Sequence, residues 1–271
     1  MKNSIAVLFI FIAAQLTAGA FAVVLEIIKA EAQGGSPEAY ANDLSAMSIM
    51  WGMLLADLIV FLLLRVLRLN RKNPFQQTQH LSSQQWLLGI AGMILLSAGI
   101  SGLLQPFALD DDGAYKLFEQ MSTHWAGFLC IAVVGPIVEE LVFREGILRS
   151  LLNKGYAPWI ALSISSLLFG IIHMNFFQMI PAVFMGFVLG WFYLRTGNLL
   201  LPAIAHIANN TFAFAELKIY GAEALNEPTS LWVALPLGAL FTLMSLLCIR
   251  RLHGQFRAAE EKPTSLESQA D

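Results

Sequence analysis

The chain is poor in charged residues and in cysteine, and these two shortages limit the classes of protein to which it can belong. Only 13% of its 271 residues are charged, whereas soluble domains usually carry about 25%. The two cysteines, Cys130 and Cys248, lie in separate apolar stretches without a CxxC pattern. We interpret them as thiols packed in apolar helices, not as a disulfide or a metal site. No basic stripe with interleaved aromatic residues is present, so we expect no nucleic-acid partner.

Apolar residues dominate instead. They make up 57% of the chain, and the mean hydropathy is +0.64. Stretches of about 20 apolar residues are typical of transmembrane helices. We therefore predict an all-α, polytopic membrane helix bundle with about eight transmembrane helices. The predicted spans are about 5–28, 46–69, 86–106, 123–153, 157–175, 177–195, 199–216 and 230–250.

The spans and the polar tail predict a division of the chain. We expect three N-terminal helices in residues 1–122, a core of helices 4–7 in 123–216, helix 8 in 217–252 and a disordered cytoplasmic tail in 253–271. A signal peptide is the alternative for the first span, because Lys2 precedes it and a small-residue pattern ends it. Its apolar run is longer than a signal core of about 7–15 residues, so we favour a retained helix.

Charges in the loops predict the orientation. Basic residues follow the even-numbered spans, and acidic residues occupy the alternate loops. The positive-inside rule then places both termini in the cytoplasm, in an integral protein of a bacterial inner membrane. The basic residues are Arg65, Arg68, Arg71, Lys72, Arg149, Lys154, Arg195, Arg250, Arg251, Arg257 and Lys262; the acidic ones are Glu31, Glu38, Asp43, Asp110, Asp111, Asp112, Glu216, Glu223 and Glu227.

Two adjacent acids, Glu139 and Glu140, lie inside a predicted span. Ionisable residues at membrane depth are costly and are functional by default. Glu140 and Arg144 are four residues apart, so we predict an ion pair on one helix face. Glu139 is rotated by about 100° from that face and keeps a free carboxylate, which is suited to a general base. A purely structural cluster of salt bridges between helices is the alternative for this group.

Histidines in later spans are candidate partners. Glu139 lies 17 residues before Tyr156 in the next turn, and His173 lies 17 residues after it. An antiparallel hairpin of helices would therefore bring Glu139 and His173 to one height. His206 and Asn210 are four apart on a later span and share a face. They reach that height only if the turn near Tyr156 projects from the membrane.

Two further residues have weaker signals. Pro136 lies just before the acids and should free the carbonyl of Ala132, which would bend the helix and open room for water. Asp57 is an isolated acid in the second span. We interpret it as a hydrogen-bonding residue between helices, or as one that faces a water cavity, and not as a catalytic residue.

These motifs together resemble a known family. The patterns are Glu139-Glu140-x-x-x-Arg144, Phe169-x-x-x-His173 and His206-x-x-x-Asn210, in this order on successive spans. They are similar to those of the CAAX protease and bacteriocin-processing (CPBP, or Abi) family of intramembrane endopeptidases, over residues 123–215. The resemblance implies a catalytic group of Glu139, Glu140, His173, His206 and Asn210, with Arg144 and Phe169 in support.

The resemblance also implies hydrolysis of a peptide bond. Glu139, helped by His173, would deprotonate a water molecule, and His206 and Asn210 would stabilise the oxyanion. No cofactor is favoured, although zinc held by Glu139, His173 and His206 is a rival arrangement. The metal-free mechanism is preferred because no His-Glu-x-x-His motif is present and Asn is a poor zinc ligand. The expected partners are a peptide or protein substrate and the lipid bilayer.

Two other classes of function remain open. Glu139, Glu140 and His173 are protonatable groups that would suit a proton-coupled transporter, although the sequence shows no inverted halves or matched broken helices. A non-catalytic membrane scaffold is the second alternative. A scaffold, however, has no need for the complete set of polar groups.

Overall fold

A computed structural model describes residues 2–33, 45–76, 80–107, 109 and 113–260. Every regular element in these residues is a helix, which confirms the predicted all-α bundle. The helices are α1 (Lys2–Ala32), α2 (Ala46–Val66), α3 (Ser83–Leu104), α4 (Ala114–Met121), α5 (Trp125–Leu152), α6 (Pro158–Ile171), α7 (Phe176–Thr196), α8 (Leu200–Asn226) and α9 (Leu231–Glu260).

Each predicted span falls on one of these helices, but the spans are not alike. Within the described residues, six helices are long and apolar enough to cross a membrane: α1, α2, α3, α5, α7 and α9. Helix α6 has 14 residues and ends at Ile171, before the predicted end at 175. Helix α8 has 27 residues and carries many polar side chains. The short α4 lies in a segment for which no helix was predicted.

The helix ends follow from local sequence. Ser82 caps α3 in a capping box with Gln85, so each side chain binds the other's backbone N–H. Asn175 caps α7, and its side-chain oxygen accepts a hydrogen bond from the Gln178 amide at 2.8 Å. Gly197 ends α7 with φ 66°, a left-handed conformation that favours glycine. These residues fix the start of α3 and both ends of α7.

Helix α1 is part of the main core. Val7 is fully buried, and the Phe11 ring lies edge-on to Phe143 of α5, with 5.9 Å between the ring centroids. Gly52 of α2 passes α1 so closely that an added Cβ would lie 2.6 Å from the Ala18 carbonyl oxygen. The first span therefore packs as a helix of the bundle, whereas its retention in the mature protein stays a prediction.

Helix α9 packs along α3 through small residues, as helices in membranes commonly do. Ser245 donates a hydrogen bond to the Gly92 carbonyl at 2.6 Å. A Cβ on Gly99 would lie 2.5 Å from the Thr242 hydroxyl, and one on Gly238 would lie 2.8 Å from the Leu103 amide. This close contact attaches the last helix to the bundle, although much of its surface faces outward.

The predicted disordered tail from His253 is wrong over its first part. Helix α9 continues to Glu260, because Leu252 and Phe256 are buried. The Phe256 ring packs on Trp191 of α7, with 5.9 Å between the centroids. The rest of the predicted tail, residues 261–271, lies outside the described residues. Polar composition suggested disorder, whereas one aromatic side chain anchors two further turns of helix.

This packing predicts that Phe256→Ala lowers the melting temperature of the purified protein. Loss of a buried Phe side chain costs about 3–5 kcal/mol in protein cores, and we expect the lower part of that range at a helix end. Thermal unfolding in detergent measures the effect. Gly254→Ala is the matched control, since an added methyl group there meets nothing within 4 Å. A disordered tail would leave both variants equally stable.

Candidate active site

Helix α5 is wound irregularly around the two adjacent acids. Its residues Leu129–Val134 and Leu141–Leu148 are π-helical, and the segment Gly135–Glu140 between them is α-helical. π-Helical turns are rare and frequently occur at functional sites. The sequence predicted a disturbance at Pro136. The structure shows a wider winding on both sides of the acids.

Pro136 frees a different carbonyl from the one predicted. The Gly135 amide donates to the Cys130 carbonyl five residues earlier, which is the π register. In that register the missing N–H of Pro136 leaves the Ile131 carbonyl, not that of Ala132, without a helical donor. The side-chain amide of Asn210 donates to Ile131 at 3.0 Å. Asn210 therefore satisfies the backbone group that the proline leaves free.

Glu140 and Arg144 form the predicted ion pair. Glu140 Oε1 lies 3.0 Å from Arg144 Nη1, with side-chain exposures of 0% and 1%. The Arg144 guanidinium also lies 4.5 Å from the centroid of the Phe169 ring, a cation–π geometry. Its Nη2 donates to the Gly186 carbonyl of α7 at 3.3 Å. The buried Arg144 guanidinium of α5 therefore contacts both α6, through Phe169, and α7, through the Gly186 carbonyl.

His206 lies between the two acids. Its Nδ1 is 3.0 Å from Glu140 Oε1, and its Nε2 is 3.6 Å from Glu139 Oε2. The first distance is that of a hydrogen bond, whereas the second is too long for one. Helix α8 therefore brings His206 to the depth of the acids, as the sequence analysis required.

The two acids differ in their access to solvent. The Glu139 side chain is 24% exposed, whereas that of Glu140 is fully buried. Glu140 is already bound by Arg144 and His206, while Glu139 has the longer approach to His206 alone. This difference agrees with the predicted division of roles, in which Glu140 holds the site together and Glu139 keeps an available carboxylate.

His173 does not lie level with Glu139. Ser165 of α6 donates to the Phe143 carbonyl of α5 at 2.8 Å, and this register sets Glu139 opposite Phe169. His173 is one turn further on, beyond the end of α6, where its Nδ1 bonds the Phe169 carbonyl at 2.9 Å. No hydrogen bond or ion pair joins His173 to Glu139 in the described part of the chain. The predicted equal height fails because this register centres the hairpin near residue 154, two residues before Tyr156.

Phe169 connects the two histidines. It is almost fully buried, and its ring lies edge-on to His173 at 5.3 Å and to His206 at 5.7 Å. With Arg144 against its face, this ring contacts three of the predicted site residues. Through these contacts the ring restricts the positions of the side chains around it.

Asn209 and Asn210 form a short amide chain at the site's edge. Asn209 Nδ2 donates to Asn210 Oδ1 at 3.2 Å and contacts the Met185 sulfur at 3.8 Å. The Oδ1 atom of Asn209 is buried without a hydrogen-bond partner among the described residues. Asn210 is thus held in place from two sides, with one of its two N–H groups directed at the backbone of α5.

The alternative zinc set does not converge. Among the described residues, no group of three or more His, Cys, Asp or Glu side chains is arranged to hold a metal ion. Glu139 and His206 approach each other, but His173 points to its own helix end. The three donors that a tetrahedral zinc site would need therefore do not fit that ion here.

A third acid of α5, Glu145, was missed in the sequence analysis. Its carboxylate is fully buried and accepts hydrogen bonds from Arg71 Nε at 2.8 Å and Nη2 at 3.0 Å. Tyr193 of α7 donates to it at 2.8 Å, and Arg149 Nε lies 2.9 Å away. Glu145 thereby joins α5, α7 and the α2–α3 loop. Hydrogen bonding to this carboxylate raises the pKa of Arg71 above its ordinary value.

One sequence signal could have found Glu145. Glu145 and Arg149 are four residues apart, the same spacing that identified Glu140 and Arg144. Arg71 and Arg149 were interpreted only as markers of orientation. Their side chains instead bind an acid inside the bundle, so a positive charge at a membrane boundary can have a structural partner as well.

Comparison with known proteins agrees with the motifs. Residues 121–212 match the family model "Type II CAAX prenyl endopeptidase Rce1-like". This match confirms the resemblance that the motifs suggested and includes Glu139, Glu140, His173, His206 and Asn210. No solved structure matches the chain.

Several bacterial proteins are similar to this chain. YdiL of Bacillus subtilis, which carries the name of a membrane peptidase, is 28% identical over 77% of this chain and 86% of its own length. The membrane-embedded CAAX protease MroQ of Staphylococcus aureus is 37% identical over 36% of this chain and 42% of its own length. The UPF0177 protein YxdF of Lactococcus lactis is 32% identical over 33% of this chain and 49% of its own length.

The Glu145 contacts predict that Glu145→Ala strongly destabilises the fold. Removing one partner of a buried ion pair typically costs about 3–5 kcal/mol, and we expect about 2–4 kcal/mol because both arginines reach water. Thermal unfolding in detergent measures the loss. Lys72→Ala is the control, since Lys72 is an exposed neighbour of Arg71. A Glu145 variant as stable as the control would contradict this structural role.

Proposed function

We propose that the chain is an intramembrane endopeptidase in which Glu139 activates a water molecule to hydrolyse a peptide bond of a membrane-associated peptide or protein. The comparisons support a membrane peptidase in general. The observation that carries the finer proposal is the contrast between the two acids: Glu139 is partly exposed next to His206, whereas Glu140 is buried and bound.

The reaction needs no group beyond those of the site and water. Glu139 takes one proton from the water molecule as its oxygen forms a bond to the scissile carbonyl carbon. The carbonyl π electrons move to the oxygen, which becomes an oxyanion. When the intermediate collapses, the C–N bond breaks and Glu139 returns its proton to the leaving nitrogen. The products are a carboxylic acid and an amine, and Glu139 is regenerated.

Glu140, Arg144 and Phe169 position the reacting groups. Glu140 accepts a hydrogen bond from His206 Nδ1, which leaves His206 Nε2 directed at Glu139. Arg144 neutralises Glu140 inside the bundle. The Phe169 ring restricts the orientation of both the guanidinium and the imidazole. Such fixed neighbours keep a carboxylate oriented in a medium that offers little solvation.

His206 and Asn210 are proposed to stabilise the oxyanion. Asn210 Nδ2 uses one N–H for the Ile131 carbonyl and has a second one available for a substrate. His206 Nε2 faces Glu139, and because Nδ1–H is donated to Glu140, the proposed donor is the imidazolium form of His206, which carries a proton on both nitrogens. A single donor of this kind can contribute about 10²–10³ in rate. For His173 the proposal is an indirect role through Phe169, because its ring packs there instead of next to Glu139.

The proposed substrate is a peptide or protein segment that reaches the site from the membrane. The relatives named above are bacterial, and one of them is a CAAX protease by name. For this chain we propose a membrane-proximal substrate without a prenyl group. A transporter or a scaffold would bind such a segment without cleaving it.

Glu139→Gln should abolish cleavage, since an amide cannot take the proton from water. We expect kcat to fall by about 10²–10⁴-fold. The measurement uses protein in lipid nanodiscs and a pool of internally quenched fluorogenic peptides, with product identified by mass spectrometry. Glu216→Gln, a change of a half-buried acid further along α8, is the matched control and should cleave like the wild type.

Other results in this assay would favour the rival functions. Full activity of Glu139→Gln would contradict the proposed general base. Absence of cleavage by the wild type, together with proton-coupled uptake of a peptide into vesicles, would support a transporter. Peptide binding without either activity would support a scaffold.

Removal of metal ions should leave the activity unchanged. The reason is that the donors of the alternative zinc set do not converge, so the proposed mechanism routes no step through an ion. The test is peptide cleavage after exhaustive chelation, with the metal content of the same sample determined by mass spectrometry. Loss of activity followed by recovery with one equivalent of zinc per chain would contradict the metal-free mechanism.

A further inference from the structure

Asp57 of α2 is a buried acid that the proposed mechanism does not use. It is only 5% exposed. Its carboxyl group forms no hydrogen bond or ion pair with any residue that the structure describes. The expected hydrogen bond between helices is therefore not found. A buried carboxyl group without a partner is unfavourable for folding, so its position calls for another explanation.

The position of Asp57 on α2 directs it into the bundle. Met50, Asp57 and Leu64 are spaced by seven residues, and all three are buried together with Val60. Residues at this spacing lie on one face of a helix. The same face packs on α5, so Asp57 faces protein and not lipid.

Contacts at both ends of α2 show how far along α5 Asp57 lies. Near the start of α2, the Met50 carbonyl lies 4.0 Å from the Cys130 sulfur of α5. Beyond its end, Arg71 binds Glu145 of α5. The two helices are therefore parallel.

Their parallel course brings Asp57 close to the level of Glu139. Asp57 is seven residues after Met50, and Glu139 is nine residues after Cys130. At 1.5 Å per residue these steps are roughly 10 Å and roughly 13 Å. Asp57 thus faces the site from a helix outside the region that matches the family model.

We propose that Asp57 is a positioning residue of the peptidase site, whose neutral carboxyl group donates a hydrogen bond through a bridging water molecule to Glu139 and so keeps the Glu139 carboxylate directed at His206. This inference rests on the proposed function. Asp57 neither gains nor loses a proton during hydrolysis, and it acts only through Glu139. A donor at this point would explain why an acid is retained in an apolar face that would pack better without it.

The test separates positioning from stability. Asp57→Leu removes the donor together with the buried polar group, whereas Asp57→Asn keeps an N–H donor of nearly the same shape. Val60→Ala is the packing control on the same face. For each variant, kcat and KM on one cleaved peptide are measured in nanodiscs, and the melting temperature is measured in the same preparation.

We expect Asp57→Leu to lower kcat at least tenfold, with KM within twofold and a melting temperature no lower than that of the wild type. Asp57→Asn should keep kcat within threefold. Val60→Ala should melt at a lower temperature with kcat unchanged. Stability retained while turnover is lost is a result that a merely structural acid would not give.

Several outcomes would overturn the inference: wild-type turnover in Asp57→Leu, a fall in its melting temperature that parallels the loss of activity, or an Asp57→Asn variant as inactive as the Leu variant. If Asp57→Leu does not fold, Asp57→Ala replaces it, and failure of both to fold also overturns the proposal. The Glu139→Gln variant distinguishes failure of the Asp57 proposal from failure of the proposed function. If that variant is inactive while Asp57→Leu is active, only the role of Asp57 is wrong; if it is active, the proposed function fails.

Discussion

Burial of charge in an apolar bundle is the constraint on which the site depends. Glu140 and Arg144 are both almost inaccessible to solvent, and each would be costly alone at this depth. Arg144 compensates Glu140, and His206 binds the same Glu140 oxygen. Since one carboxylate holds both partners, α5 and α8 have a fixed relation. The position of the more accessible Glu139 depends on this fixed relation between α5 and α8.

The winding of α5 is the second requirement. The π-helical stretches on either side of Gly135–Glu140 change the direction in which successive side chains point. Pro136, the second residue of the α-helical segment, has no backbone N–H, and the Asn210 side chain of α8 donates to the carbonyl that is left free. The irregular backbone is therefore supported by a side chain that the family resemblance assigns to catalysis. Structural and chemical demands on Asn210 are compatible because its amide has two N–H groups.

Local spacing predicted those features that lie within one helix. Four residues separate Glu140 from Arg144, and that spacing alone specifies their contact. The depth of His206 was anticipated only on the condition that the turn near Tyr156 projects from the membrane. His173 was misplaced, since its height depends on the residue at which the turn between α5 and α6 is centred, and the Gly and Pro signals there do not fix that point to within one helical turn.

Features that depend on contacts between distant segments of the chain could not be predicted from local spacing. Glu145 binds Arg71, which lies in a loop more than 70 residues earlier in the chain. No local sequence pattern specifies such a contact. The extension of α9 depends on Phe256 finding Trp191, although its flanking sequence is polar. The same limit applies to Asp57, which looks isolated in sequence because its neighbours in space belong to α5.

The π-helical turns have a consequence for how this site tolerates changes in chain length. A π turn accommodates one more residue than the α turn that it replaces. Deleting a single residue from Leu129–Val134 would let the stretch rewind as an ordinary helix with the direction of Glu139 nearly unchanged, whereas a deletion in a regular α-helical stretch swings the following side chains by about 100°. The hydropathy and span length would hardly change. Two single-residue deletions in this span could then look interchangeable by hydropathy, although only the one inside the π-helical stretch keeps the acids directed at His206.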